Sequence, residues 1–250
     1  MRTVTNIPVS LCEYALINRK VNQLKLYIYL KLSCKGYIEY NQTSIHKWSK
    51  EIGIHAKTVK SSYEWLVKNR WITVNSKRQA LNIISYNRLK SKLQMKGITG
   101  VLIELSTCKD YEYFRALCCA IVVTYYLRRK RYFDRRSERK FGGSITNRNK
   151  INSFYPMPNI YLAKCIKISI STACRIKQEA ESAGYIETKG DYCYLVMSNG
   201  DKISSKHFDI MRSESLKEGD PDFLRRGRKY IKKVCSDLIK SHITCKRKDY

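Results

Sequence analysis

The sequence predicts a mainly α-helical protein with small β-hairpins, assembled from two copies of one module. Three observations carry this. The stretch IGIHAKTVKSSYEWLVKNRWI at 52–72 recurs in pattern as KISISTACRIKQEAESAGYI at 167–186. A displacement of 114 superposes Ile52 on Ile166, Ile54 on Ile168, Thr58 on Thr172, Trp71 on Tyr185 and Ile72 on Ile186 without a gap, and a repeat usually marks one structural unit. Apolar residues recur at helical spacing in the longer segments. The composition, 43% hydrophobic with 19 Tyr, 6 Phe and 3 Trp, is that of a chain with a real core, and 250 residues accommodate two domains of ordinary size.

From the N-terminus, IPVSLCEYALINR (7–19) reads as a segment of short turns. VNQLKLYIYLKLSC (21–34) places Val21, Leu24, Ile28 and Leu32 on one helical face, a core-facing helix. GYIEYN (36–41) alternates as a short strand, and Thr43 or Ser44 supplies an N-cap for SIHKWSKEI, whose Ile45, Trp48 and Ile52 share a face. Gly53 stops that helix. The next helix runs from about Ala56 to Asn69 with Val59, Tyr63 and Leu66 inward and Lys57, Lys60, Ser61, Glu64 and Lys68 outward. WITV, NSKR and ALNIIS then form a hairpin with Lys77 and Arg78 at its tip.

This order, with the run from Gly53 and Ile54 through Thr58 and Val59 to Trp71 and Ile72, resembles the winged helix-turn-helix family of DNA-binding domains over about residues 21–85. His55 stands where that family often has a Ser or Thr cap.

The second copy starts with YEYFRALCCAIVVTYYL (111–127), continues through NIYLAKCIK (159–167), and turns at Ile168 and Ser169, where Ser169 is the better cap. ISTACRIKQEAESAG (170–184) puts Ala173, Ile176 and Ala180 inward. YIETKGDYCYLVM (185–197) reads as a hairpin turning at Lys189, Gly190 and Asp191, and SNGD (198–201) as another tight turn. Between its first two helices lies an insertion, 128–158, whose first 13 residues hold eight Lys or Arg; such a block reads as a helix extension running into a mobile arm. The expected organisation is an N-terminal winged helix domain at 1–90, a linker at 91–108, a second winged helix domain at 109–200, and a C-terminal basic amphipathic helix at 201–250, with residues 86–105 bridging the copies through a short amphipathic helix and the strand VLIEL. In that C-terminal helix Phe223, Leu224, Tyr230, Ile231, Val234, Leu238 and Ile239 would form one apolar stripe for packing or dimerisation.

Charge and cysteine usage narrow the function. Lys and Arg number 49 against 21 Asp and Glu, a net +28 that repels itself unless a polyanion neutralises it, and nucleic acid is the natural partner. No apolar run approaches the roughly 20 residues of a spanning helix, and the N-terminus lacks a long apolar signal region; a cytoplasmic, nucleoid-associated protein with no membrane partner is expected. The ten cysteines form no CxxC pair, and the four histidines lie near no partner at metal-ligand spacing. Reduced, mostly buried thiols and no metal, cofactor or small-molecule substrate are expected. No P-loop and no paired histidines of a metal nuclease occur, so no enzyme activity is expected, although 19 tyrosines leave a nicking or recombining enzyme as a rival.

A helix held proud of the surface fits the major groove of duplex DNA. The candidate readers are Lys57, Lys60, Ser61 and Glu64 in the first copy and Ser171, Arg175 and Gln178 in the second, Arg175 being suited to guanine and Gln178 to adenine. Lys47, Lys50, Lys77, Arg78, Lys164 and Lys189 are candidates for phosphates. Arg128, Arg129, Lys130, Arg131, Arg135, Arg136 and Arg139 are candidates for lying along a backbone or in a minor groove. The competing reading of each is an ordinary solvated face, and of the modules an RNA or protein adaptor. Two such modules in a basic chain, with the opening NIPVSLCEYALI, resemble plasmid replication initiators. That resemblance implies a sequence-specific duplex-DNA binder, an initiator of a plasmid, phage or mobile element, with a transcription regulator as the alternative and homodimerisation as a further expectation.

Overall fold

The computed structural model describes residues 4–33, 37–39, 41, 43–95, 99–104, 111–140, 154–194, 203–210, 223–226, 229–243 and 245–247. Among these the chain is mainly helical with small antiparallel sheets, the coarse class its sequence predicts.

The chain enters as strand β1 (Val4–Pro8) and helix α1 (Val9–Ile17), not as loose turns. Ile7, Leu11, Cys12 and Ala15 are fully excluded from water; a helix apolar on nearly every side is a buried helix. The first unit then has the expected order: α2 (Val21–Ser33), β2 (Tyr37–Glu39), α3 (Ser44–Ile52), α4 (Ala56–Lys68), β3 (Ile72–Asn75) and β4 (Ala80–Ile83). Helix α2 buries Val21, Leu24 and Ile28 of the expected stripe, with Leu32 half-buried, and buries Leu26, Tyr27 and Leu30 as well. Trp71 closes the unit, with the rings of Tyr14, Tyr27 and Trp65 at 6.1, 5.3 and 5.3 Å. The Tyr27 hydroxyl donates to the Ile84 carbonyl at 2.8 Å.

Helix α5 (Tyr86–Lys92) and strand β5 (Thr99–Glu104) come next. The second unit comprises α6 (Phe114–Lys140), β6 (Tyr155–Pro156), α7 (Asn159–Ile166), α8 (Ile170–Ser182) and β7 (Ile186–Tyr194). Strands β8 (Phe223–Arg226), β9 (Lys229–Ser241) and β10 (Cys245–Arg247) end the described chain. The segment expected as a linker therefore supplies the central strand of a sheet, since β5 pairs with both β1 and β10.

Two expectations are corrected. The C-terminal stripe is not an amphipathic helix: Phe223 and Leu224 lie in β8 and the other stripe residues in β9, which pairs with β6, β7 and β8. Tyr230, Ile231, Val234 and Ile239 suit a strand as well as a helix, and unpaired strand edges beside them decide between the two. The hairpin expected at 185–197 is likewise absent as drawn. Strand β7 runs through Lys189 and Gly190 with a register shift there, so the glycine marks a bulge rather than a turn. Its partner comes from the far end of the chain. The SNGD turn, residues 141–153 of the insertion and residues 195–197 of the expected hairpin lie outside the described residues.

The repeat is realised in the backbone. Ile54 N–H donates to Ser49 O at 3.3 Å, and Ile168 to Ala163 at 3.1 Å; Val59 donates to His55 O at 3.1 Å, and Ala173 to Ser169 at 3.0 Å; Trp71 donates to Leu66 O at 2.8 Å, and Tyr185 to Ala180 at 3.0 Å. Each unit turns twice through left-handed backbone at matched places: Gly53 and Lys167, then Arg70 and Gly184. Sheet order agrees too, β2-β4-β3 in one unit and β6-β9-β7 in the other. One buried cluster, from Ile7 through Val123 to Ile239, runs through both units.

A left-handed residue costs a non-glycine roughly 1–2 kcal/mol. Arg70→Gly and Lys167→Gly are therefore expected to stabilise the protein by about 1 kcal/mol each, and Gly53→Ala and Gly184→Ala to destabilise it by about as much, in chemical denaturation. A methyl at Gly184 meets nothing within 4 Å, so its cost is one of backbone angle alone. A second prediction concerns Lys177, 4% exposed, whose ammonium donates to Met157 O and meets the Asp237 carboxylate at 2.6 Å. Asp237→Asn leaves a buried ammonium without this carboxylate and is expected to cost about 3 kcal/mol in the same measurement. Adding Lys177→Met should recover part of the loss.

Candidate nucleic-acid interface

Helix α4 is capped by a histidine. Lys57 N–H donates to His55 Nδ1 at 3.2 Å, so an imidazole takes the place a hydroxyl would have filled. On the other side of the turn, Ser49 Oγ donates to Ile54 O at 2.6 Å. Val59, Ser62 and Leu66 face the core, which turns Lys57, Lys60, Ser61, Glu64 and Lys68 outward, and all five are exposed. Ser61 Oγ donates to Thr58 O at 3.1 Å and remains in water. Lys47 and Lys50 are exposed on α3, and Lys77 and Arg78 at the hairpin tip, where Asn75 Oδ1 accepts from Arg78 N–H at 3.2 Å. The first unit thus brings its sequence-predicted residues to the surface on three adjoining elements.

Helix α8 is capped by Ser169, whose Oγ accepts from Thr172 N–H at 3.2 Å. Ala173, Ile176, Lys177 and Ala180 are buried, leaving Ser171, Arg175 and Gln178 exposed. A two-pronged ion pair braces the helix on α6: Arg115 Nε and Nη2 donate to Glu179 at 2.6 and 3.2 Å. This pairing raises the Arg115 pKa against the opposing effect of burial, with smaller upward contributions from the nearby thiols. The Cys119 thiol beside Glu179 is held protonated, by burial first and by the carboxylate second.

Arg175 is exposed and also borders a cleft. It lines this cleft, of about 720 Å³, with Ser169 and Thr172 of its own helix, Arg115 of α6, and Arg19 and Asn22 from the α1–α2 corner. Sequence reasoning missed Arg19, which is distant along the chain; its left-handed backbone, φ 56°, sets the corner from which it meets the cleft. Three guanidinium groups, those of Arg19, Arg115 and Arg175, thus line one cleft, and one of them is paired to Glu179.

Among the other candidates, Lys164 is exposed on α7. Lys189 is exposed but sits within β7 and not at a hairpin tip, its ammonium 4.1 Å from the centre of the Phe154 ring. The arginine block divides by helical face. Arg131 is buried, its guanidinium 4.8 Å from the Tyr155 ring, which removes it from the candidate contacts. It shares the inner side of α6 with Leu127, Lys130 and Asp134, and Asp134 accepts from Lys130 Nζ at 2.6 Å and from the Tyr155 hydroxyl at 2.7 Å. Residues 128–140 therefore continue α6 as the expected helix extension, anchored on its inner side; residues 141–153, where the arm was expected, lie outside the described residues. Arg129 and Arg136 are exposed and Arg128 is half-buried, while the side chains of Arg135 and Arg139 lie outside the described set.

A second cleft, about 540 Å³, lies beside the α1–α6 contact and is lined by Glu13, Tyr14, Tyr125, Tyr126, Met95 and Arg129. The Tyr126 hydroxyl donates to both Glu13 oxygens at 3.1 and 3.2 Å. Burial lifts the Glu13 carboxyl above its ordinary value of 4.5, against the opposing effects of Tyr126 and Arg129. Burial likewise raises the Tyr27, Tyr29 and Tyr126 hydroxyls and pushes Tyr161 up to about 12.

Among the described residues, Cys12, Cys118, Cys119, Cys165 and Cys174 are free thiols, no cluster of three metal-ligating side chains occurs, and no helix is long and apolar enough to cross a membrane. Because the folded Glu13 carboxyl titrates above its unfolded value, its contribution to stability is present below 4.5 and is lost as the pH rises through the raised value. Glu13→Gln is therefore expected to gain in melting temperature on the parent protein as the pH rises from below 4.5 to neutrality; a constant difference would contradict the burial effect. No protein-family model, no curated protein and no solved structure matches the chain.

Proposed function

We propose that the chain binds specific sequences of duplex DNA through two winged helix-turn-helix modules, α2 to β4 and α6 to β9, and serves as a replication initiator of a plasmid, phage or mobile element. One observation carries the reading. Helices α4 and α8 have the same backbone frame, each starts at a side-chain cap, and each turns basic or amide side chains to water in a chain of net charge +28. A helix about 10–12 Å across fits a groove about 12 Å wide.

In this reading Arg175 pairs with guanine and Gln178 with adenine, while Lys57, Lys60, Ser61 and Glu64 face the bases met by the first module. Lys47, Lys50, Lys77, Arg78 and Lys164 supply phosphate contacts, and Arg19 adds one beside Arg175 in the cleft. Transcription regulation is the second reading, because it rests on the same physical act and α4 and α8 would grip the duplex identically in either role. For a nicking enzyme the tyrosines carry little support: Tyr27, Tyr29 and Tyr126 are held protonated by burial, the opposite of an activated nucleophile.

Selection from a random duplex pool is expected to return a defined site. Arg175→Ala should then cost about 1–3 kcal/mol at one base-pair position and relax preference there. Lys77→Glu with Arg78→Glu should weaken all duplexes alike and flatten the salt dependence by about two units of slope. Recovery of no preferred sequence would defeat the reading, as would magnesium-dependent relaxation of supercoiled DNA for the binding-only view. A plasmid that carries the selected site and replicates only when the chain is supplied in trans would support initiation over transcription.

A further inference from the structure

The outer half of helix α6 carries a feature that folding does not need. Leu127, Lys130, Arg131 and Asp134 face inward against Tyr155 and its surroundings. The opposite stripe, at positions i, i+3, i+4 and i+7, reads Arg129, Tyr132, Phe133 and Arg136, all exposed. Tyr132 is 61% exposed and Phe133 49%. Their rings meet edge to face, with centroids 5.6 Å apart, and the Arg129 guanidinium lies 5.7 Å from the Phe133 ring centre. Two aromatic rings in water, bracketed along one helix by two arginines, make an amphipathic strip with no counterpart in the core.

We propose that this stripe binds single-stranded DNA, with Tyr132 and Phe133 stacking on bases and Arg129 and Arg136 meeting the flanking phosphates. Aromatic side chains take up the faces of bases, and those faces are covered by stacking in a duplex and open in a single strand. Cations on either side of the rings match the polyanion backbone in a chain that already carries +28. A protein partner would find the same rings but would have to bury or neutralise both guanidinium groups. The stripe owes nothing to the outward faces of α4 and α8, and the proposal stands apart from the duplex reading. If both hold, one chain grips a duplex and an opened strand with different surfaces.

Anisotropy titration of the full chain with a labelled dT oligomer of about 12 nucleotides tests this. Tyr132→Ala and Phe133→Ala are each expected to weaken dT binding roughly 5- to 100-fold while leaving binding to random duplex within about twofold. Tyr132→Trp should keep dT affinity, and its added indole emission should fall when dT is bound. Tyr113→Ala, at a residue 53% exposed before α6, should change nothing. These positions are exposed, and an unchanged melting temperature confirms that each variant folds. Absence of dT binding by the parent protein overturns the proposal and leaves the stripe to a protein partner. Unchanged dT affinity in the double alanine variant, or equal losses on dT and duplex, overturns it as well. A preferred duplex site absent from selection, together with dT binding lost in the alanine variants, would sink the duplex reading and leave this one standing.

Discussion

The burial of α1 against α6 is the constraint on which the rest of the structure depends. Leu11, Cys12 and Ala15 are closed off from water, and so are Cys118, Cys119 and Val122 on the helix they meet. Because α1 also packs on α2, this contact joins the two units through one buried core. Helix α6 then ties in the remaining parts of the second unit: α8 through Arg115 and Glu179, β9 through Thr124 and Ser241 at 2.6 Å, and β6 through Asp134 and Tyr155. The positions of α4 and α8 are therefore tied to packing in one shared interior.

Within that frame the two units reach the same turn by different chemistry. A left-handed residue ends the second helix of each and another ends the third, yet glycine fills only one place of each pair. Lys167 and Arg70 accept a strain that Gly53 and Gly184 avoid, of roughly 1–2 kcal/mol per position. Both residues also bear a positive charge close to a helix C-terminus, where the backbone dipole favours it. The caps diverge similarly, since an imidazole nitrogen serves at His55 where a hydroxyl serves at Ser169. Backbone hydrogen bonds at matched positions show that geometry, rather than residue identity, is what repeats.

Much of this was legible in the sequence wherever a segment carried its own signal. The apolar spacing of Val59 and Leu66, and of Ala173, Ile176 and Ala180, places both exposed helices, and Gly53 and Ser169 mark their boundaries. The parts that were not legible depend on residues far apart in the chain. Tyr230, Ile231, Val234 and Leu238 fit a helical period, but β6, β7 and β8 recruit them as a strand, a choice made by partners that local propensity cannot see. Arg131 looks like its neighbours until Tyr155 packs against it. Arg19 gains interest only when the fold brings it to the cleft beside Arg175. Similarly, Gly190 signals a break in a strand without saying whether the break is a turn or a bulge.

A shared core makes the proposed double reading a matter of geometry. If α4 and α8 each enter a groove, their footprints keep a fixed spacing, because the α1–α6 contact holds the units together. The most direct measurement takes a selected site and inserts about five base pairs, half a helical turn, between its two halves. Affinity should collapse to that of a single half-site, and a full turn of about ten base pairs should fail to restore it unless the DNA bends. Affinity indifferent to both insertions, or protection confined to one groove, would contradict reading by two rigidly joined helices.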